Sequence, residues 1–275
     1  MRAPTFTVQI CNFNHGHYLP QCIAGIQRQT FTDFEIVITD DGSTDDSRQI
    51  IAAAAAKDPR FKPRYFPTNQ GLMAATKDTL DRAKGTYIFG EAADDFIIDE
   101  HFFARAATAL RAHPTAAGFF GIVGLFTVEK NEVTGKMGGA TREGYLPPAE
   151  CYRDFLRGKL FIPGSGTIWK RSCIQELGGF DYSLGPQIDF LLNHALPSQH
   201  GVIFTPTAVT VQRIYQNASS FGTRGGTLWD ATARLEKVEK RLRELAPAYA
   251  GMEDDWRGWR ARWTLDAIRK TGINV

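Results

Sequence analysis

Two adjacent carboxylates close an apolar run in Ile36-Val37-Ile38-Thr39-Asp40-Asp41-Gly42-Ser43-Thr44-Asp45. An ionised carboxylate only accepts hydrogen bonds, so this pair suits a pyrimidine imide N–H or a ribose hydroxyl. A second pair, Asp94-Asp95, follows the short apolar run Thr86–Phe89. Adjacent carboxylates of this kind can hold an oxygen-preferring cation, Mn²⁺ or Mg²⁺, whose shell phosphate and water complete. A third group follows Gly178-Gly179-Phe180-Asp181, where Asp189 stands in Ile188-Asp189-Phe190 at the start of a helical stretch. The helix dipole favours its ionised form there, and it serves as a general base if it faces a crevice. Plainer roles exist for each: an Asx turn with a helix cap, a solvated acidic turn, a first-turn helix residue. Two acidic pairs at the ends of two strands of one sheet favour the ligand role.

Such groups need strand ends to hold them. Phe6–Cys11 alternates and is rich in β-formers, and Phe34–Thr39 is nearly all apolar, as in a strand buried on both faces. Between them Tyr18, Leu19, Cys22, Ile23 and Ile26 share a helical face. Ser43 to Asp46 offer caps for a helix through Ile50, Ile51 and the alanine run. Phe61–Phe66 is a weaker strand that Pro63 confines to an edge. Leu72–Lys84 is a helix stopped by Gly85, and a further helix follows Asp99 through Arg111. This order predicts an α/β fold with a mostly parallel Rossmann-like sheet flanked by helices. After about residue 115 a strand pair (116–128 and 132–138), a strand at 164–169, helices at 170–177 and 188–195 and a β-rich stretch at 202–215 are expected. From residue 227 the chain reads as helical and charged, with Trp229, Trp256, Trp259 and Trp263. A packing stripe is the favoured role for those tryptophans, a membrane-facing or partner-facing helix the other.

At 275 residues with a formal net charge of +2, the chain has ample length for a core and no charge bias toward nucleic acid. The longest apolar run, 116–128, is broken by three glycines and is too short to span a membrane. The N-terminus lacks a secretory h-region. Four cysteines (Cys11, Cys22, Cys151, Cys173) show no CxxC and no cluster with histidine along the chain, which argues against zinc and fits a reducing cytoplasm. His15 and His17 flank the first loop near the proposed site, and His194 and His200 fall in the second half.

The motifs, in order, resemble family 2 glycosyltransferases, inverting enzymes of the GT-A fold. The resemblance runs through Val8–Asn14, Tyr18-Leu19, Gln29–Glu35, the unbroken Asp40-Asp41-Gly42-Ser43-Thr44-Asp45, Asn69-Gln70-Gly71, Ala83–Ile88 and Gly178–Asp181, over roughly the first 220 residues. It implies a glycosyltransferase domain over 1–222, with a nucleotide-sugar half (1–115) and an acceptor half (116–222). A smaller antiparallel acceptor-side sheet and a helical extension (223–275) are implied with it. It further implies that Asp41 meets the nucleotide base, most often uracil, with Cys11, Asn12 and Asn14 lining that pocket. Asp94 would hold the ribose and Asp95 the metal. Asp189 would deprotonate the acceptor hydroxyl as it attacks the anomeric carbon from the face opposite the leaving diphosphate. The implied partners are a nucleotide-sugar donor and a glycan or lipid-linked acceptor in cell-surface polysaccharide synthesis, at the cytoplasmic side, with peripheral membrane association left open.

Four departures stand against the family pattern. Ala92 replaces the leading Asp of the acidic motif, Ile188 the Glu before Asp189, Ala75-Thr76-Lys77 an "ARN", and Tyr215 a later His. They motivate an alternative: a catalytically silent nucleotide-sugar binding module. A nucleotidyltransferase ranks lower, since Asn12-Phe13-Asn14-His15-Gly16 carries no cation for a phosphate loop. A nicotinamide-dependent dehydrogenase ranks lower still, since no GxGxxG follows the first strand.

Overall fold

The computed structural model describes residues 2–215, 228–245 and 258. Strands β1 (Phe6–Asn12), β2 (Phe34–Asp40) and β3 (Phe61–Tyr65) are joined by helices α1 (Leu19–Gln27) and α2 (Ser47–Lys57). Then come α3 (Leu72–Arg82), β4 (Tyr87–Ala92), β5 (Phe96–Ile97), α4 (Phe102–Ala112) and the long β6 (Gly118–Thr127). The second half holds β7 (Glu132–Met137), β8 (Gly144–Leu146), α5 (Pro148–Leu156), β9 (Thr167–Lys170) and α6 (Arg171–Glu176). It continues with α7 (Ile188–His200), β10 (Val202–Ile214) and α8 (Leu228–Leu245).

One mixed sheet runs in the order β3-β2-β1-β4-β9-β6-β10-β5, with β7 added to β6 and β8 to β10. The parallel pairs β1·β2, β1·β4 and β6·β10 carry its longest registers. Every residue of β2 is buried, as its unbroken apolar run requires. Pro63 lies on β3 at the sheet edge, where a strand can lack an N–H. The antiparallel pairings expected in the second half are present and continuous with the central sheet: β9 bridges β4 and β6. Two long strands make this possible. β6 pairs with β9 through Gly118–Phe120 and with β7 from Val123 onward. β10 pairs with β8 at Val202–Phe204 and with β5 at Thr210–Val211.

Two cores result. Under the first half Phe6, Phe34, Phe89, Phe102 and Phe103 form an edge-to-face and stacked aromatic cluster with ring centroids 5.2–5.6 Å apart. Under the second half Phe155, Leu156, Trp169, Leu191 and Leu196 pack with Val238 and Leu242 of α8. The helix expected to stop at Gly85 ends earlier, at Arg82, with Ala83 extended. Gly85 has a different cause. A Cβ there would lie 2.4 Å from the Thr7 nitrogen, so the chain returning to β4 passes β1 too closely for any side chain. Among the described residues no helix is long and apolar enough to cross a membrane. Trp256, Trp259 and Trp263, and the side chain of Trp229, lie outside the described residues.

Candidate active site

The ends of β1 and β2 are stitched together by the first acidic pair. Asp40, fully buried, accepts from Asn12 Nδ2 at 2.8 Å, from the Ser43 backbone N–H at 3.2 Å and from Arg48 Nε at 3.0 Å. Asn12 Nδ2 also reaches Ser43 Oγ at 3.2 Å. The Asn14 backbone N–H donates to the same hydroxyl at 2.9 Å, and Asn14 Oδ1 accepts the Thr44 N–H at 2.8 Å. Asn14 sits at φ 55°, a left-handed conformation that asparagine tolerates. Asp41 bonds the next loop: its two oxygens accept the N–H groups of Gln70 at 2.7 Å and Gly71 at 2.8 Å. Each oxygen keeps a further lone pair for a ligand. Gly42 makes the turn at φ 74°, and a Cβ there would lie 2.4 Å from the Thr68 carbonyl carbon. Cys11 is half-buried beside the hydroxyls of Thr76 (3.7 Å) and Thr79 (3.9 Å). Burial pushes its thiol up, so it presents a neutral sulfur.

The end of β4 concentrates three carboxyls. Asp95 is buried, and Oδ1 accepts the Arg213 backbone N–H at 2.8 Å. Burial first, and then the charge of Asp94, push its carboxyl up to about 8. Glu91 is buried beneath it and raised well above the usual carboxylate range, again by burial and then by Asp95. Its Oε1 has no partner, while Oε2 faces the Thr210 hydroxyl at 3.5 Å. Asp94 accepts the Tyr215 hydroxyl at 3.2 Å and lies 3.9 Å from His15 Nδ1. Arg213 supplies one nearby cation. Its guanidinium donates to the Asp94 carbonyl and to Gln21 Oε1, and rests 4.6 Å from the Tyr18 ring centroid and 4.8 Å from that of Phe96. Crowded carboxyls, an unpartnered buried oxygen and an oxygen-only donor set fit a hard divalent cation such as Mn²⁺ or Mg²⁺.

Asp189 occupies the first turn of α7. It reaches solvent, yet the surrounding protein pushes its carboxyl up to about 6 with burial as the cause. The carboxylate lies against Gly164, where a Cβ would sit 3.2 Å from Oδ2. From there the chain leads back to the acidic cluster. A Cβ at Gly166 would lie 3.1 Å from Thr210 Cγ2, and the Thr210 hydroxyl bonds the Phe96 carbonyl at 2.9 Å and faces Glu91. Burial, and after it the charge of Asp81, push the hydroxyl of Tyr182, just before α7, up. His194 is enclosed by aromatic rings. It lies between the rings of Phe155 (3.8 Å) and Phe190 (4.1 Å), Nδ1 shares a hydrogen bond with the Phe190 carbonyl, and burial pushes it down to about 4.

The family model of glycosyl transferase family 2 matches residues 7–178, which include both acidic pairs and most of the sheet. The chain belongs to that family. Relatives of this glycosyltransferase family member include an uncharacterized glycosyltransferase of Haemophilus influenzae, 35% identical over 113 residues (41% of this chain, 45% of the relative). A PGL/p-HBAD biosynthesis glycosyltransferase of Mycobacterium bovis is 34% identical over 126 residues (45% and 48%). The matched segments thus span about half the length of these curated relatives. The fold is that of S. aureus TarS in complex with UDP-GlcNAc (TM-score 0.69, 16% identity, 86% of this chain and 66% of that one). It is shared by the mannosyltransferase PcManGT of Pyrobaculum calidifontis in complex with GDP-Man and Mn²⁺ (TM-score 0.59, 18% identity, 100% and 77%). GalNAc-T7 with UDP, GalNAc and Mn²⁺ is similar too (TM-score 0.62, 16% identity, 86% and 48%).

Some site residues of this glycosyltransferase fold escape a sequence reading. Glu91 shares the inward face of β4 with Phe89, and that alternation was the available signal. Arg213 carries no motif; only its position on β10 beside β5 brings it to Asp94 and Asp95.

Proposed function

We propose that this family member is an inverting transferase that moves a sugar from a nucleotide-diphosphate sugar, a UDP-sugar in the first place, to a hydroxyl of a glycan or lipid-linked acceptor in cell-surface polysaccharide synthesis. The observation that carries this reading is the pairing of a preassembled acidic site at the ends of β1, β2 and β4 with an exposed, unbonded carboxylate, Asp189, in the first turn of α7 beside Gly164. The family membership and the UDP-GlcNAc bound by a fold neighbour support the choice of donor.

In this reading Asp41 accepts the base imide N–H through the lone pairs left by Gln70 and Gly71. Cys11, Asn12 and Asn14 shape the pocket wall, Asn12 and Asn14 by holding the loop rather than by offering free amides. Asp94 takes a ribose hydroxyl, and the Tyr215 hydroxyl fixes its carboxylate. Asp95, with Asp94 beside it, would hold Mn²⁺ or Mg²⁺, which offsets the charge that builds on a departing diphosphate. Asp189 accepts the acceptor hydroxyl proton. That oxygen then bonds the anomeric carbon, the bond to the diphosphate oxygen breaks, and attack from the opposite face inverts the centre. A carboxyl near 6 is mostly ionised at neutral pH and still more basic than an ordinary aspartate, which suits this task.

Calorimetric titration with UDP, GDP, CDP and dTDP, with and without Mn²⁺, tests the reading. Metal-dependent binding of one diphosphate that Asp95→Ala abolishes is the expected result. Binding without transfer to any acceptor would favour a silent binding module, and no binding of any diphosphate would overturn the donor site.

A further inference from the structure

Far along the chain from the acidic crevice, three unlike ligand groups converge. Cys173 and Glu176 stand three residues apart on α6, so they share one face of its single long turn. His200 closes α7, just before Gly201 turns the chain into β10 at φ 75°. The Cys173 sulfur, a Glu176 oxygen and a His200 ring nitrogen all lie within 4.8 Å of one another.

We propose that Cys173, Glu176 and His200 form a binding site for a borderline-soft divalent ion, Zn²⁺, that braces α6 to the end of α7. The geometry of the His–Glu pair carries this furthest. His200 Nε2 lies 3.3 Å from Glu176 Oε2, close enough for an ion pair. The same nitrogen is shielded from solvent and makes no hydrogen bond, so the two groups are near but not aimed at each other. Ligands aimed at a common point behave in this way. Bonds of about 2.3 Å to sulfur and about 2.0 Å to nitrogen or oxygen at tetrahedral angles put ligand atoms about 3.5 Å apart. The His–Glu pair already has that separation, and a rotation about one or two side-chain bonds brings the sulfur in from 4.8 Å or less.

The donor set selects the ion. A thiolate, an imidazole and a carboxylate together suit Zn²⁺ rather than Mg²⁺ or Mn²⁺, which prefer the all-oxygen crevice at β4. Cys173 is buried and Glu176 is exposed, so the ion would sit at the rim of the second core with its fourth position open to water. On binding, the Cys173 thiol releases its proton to solvent and the sulfur donates an electron pair to the metal; no oxidation state changes. The consequence is mechanical: the ion would fix the far end of α7, the helix whose first turn carries Asp189.

Co²⁺ titration of the full chain, freed of metal by chelation, tests the site through the thiolate-to-cobalt charge-transfer absorption. One equivalent should produce the band, and Zn²⁺ should erase it by displacement. Cys173→Ser should abolish the band. His200→Ala and Glu176→Gln, which disturb the core less, should each weaken Co²⁺ binding at least tenfold. Cys22→Ala, a change beneath the acidic crevice, should leave the band intact. Addition of Zn²⁺ should raise the Tm of the unaltered chain and not that of His200→Ala. Absence of a charge-transfer band in the unaltered chain overturns the proposal, as does a band that survives Cys173→Ser or is unaffected by both His200→Ala and Glu176→Gln.

Discussion

The two halves of the crevice are built in opposite ways. At the ends of β1 and β2 both aspartates are held by several donors, although Asn12 Oδ1 keeps no partner. Asp40 accepts three hydrogen bonds, Asp41 two, and Asn12, Asn14 and Ser43 close the loop around them. At the start of α7 the Asp189 carboxylate makes no hydrogen bond to any described residue and lies beside Gly164, where a Cβ would come within 3.2 Å of Oδ2. The difference separates two physical demands. A nucleotide is held by groups that must not move, so their own side chains are fixed by the backbone of neighbouring loops. A base must have its proton-accepting lone pairs free and its affinity for protons raised, which burial without partners provides.

The largest effect that could break this contrast lies at the unbonded carboxylate. Asp189→Asn should lower kcat about 10²- to 10⁴-fold, measured as sugar transfer or slow donor hydrolysis, while the melting temperature stays nearly unchanged. A large loss of stability instead would make Asp189 a structural residue like Asp40. The reverse is expected at Asp40→Ala. The Ser43 N–H loses its acceptor and Asn12 Nδ2 keeps only Ser43 Oγ, at about 1–3 kcal/mol for each lost bond, so chemical denaturation should show a loss of about 3 kcal/mol. Gly85→Ala should cost about 1–3 kcal/mol by the same measurement, because a methyl group meets the Thr7 nitrogen of β1. An unchanged stability would restore Gly85 to a mere helix stop. The smallest effect sharpens the electrostatic side. A base pushed up to about 6 acts only when ionised. Thus, with Mn²⁺ and donor saturating so that the metal keeps Asp95 ionised, kcat should be level above that pH and fall about tenfold per unit below it. A limb that begins near the ordinary aspartate range, about 4, would remove the desolvated crevice from the account.

How far the sequence could be followed differs between the same two regions. The strand ends of the donor half were legible because local rules set them: an all-apolar run for β2, Pro63 for an edge, Gly42 for a turn. The bonds that hold Asp41 were not, since Gln70 and Gly71 reach it from a loop 29 and 30 residues away. Gly85 reads in sequence as a helix stop, but its constraint is a close approach by β1, which no local pattern reveals. The single continuous sheet was hidden in the length of β6 and β10, each of which serves two partners on one side. In the acceptor half Asp189 stood out by its helix position, whereas His194 needed the structure to show it enclosed by Phe155 and Phe190. Cys173 and His200 lie 27 residues apart, so linear spacing gave no sign that α6 and α7 bring them together.

The central claim is that donor binding and proton removal reside in separate halves of one crevice. The most direct measurement is a crossed one: calorimetric donor titration and turnover, with Mn²⁺ present, on Asp95→Ala and Asp189→Asn side by side. The account predicts that Asp95→Ala loses donor affinity, whereas Asp189→Asn binds donor within about twofold of the unaltered chain and fails to turn it over. Parallel loss of binding in both variants, or undiminished transfer by Asp189→Asn, would contradict it.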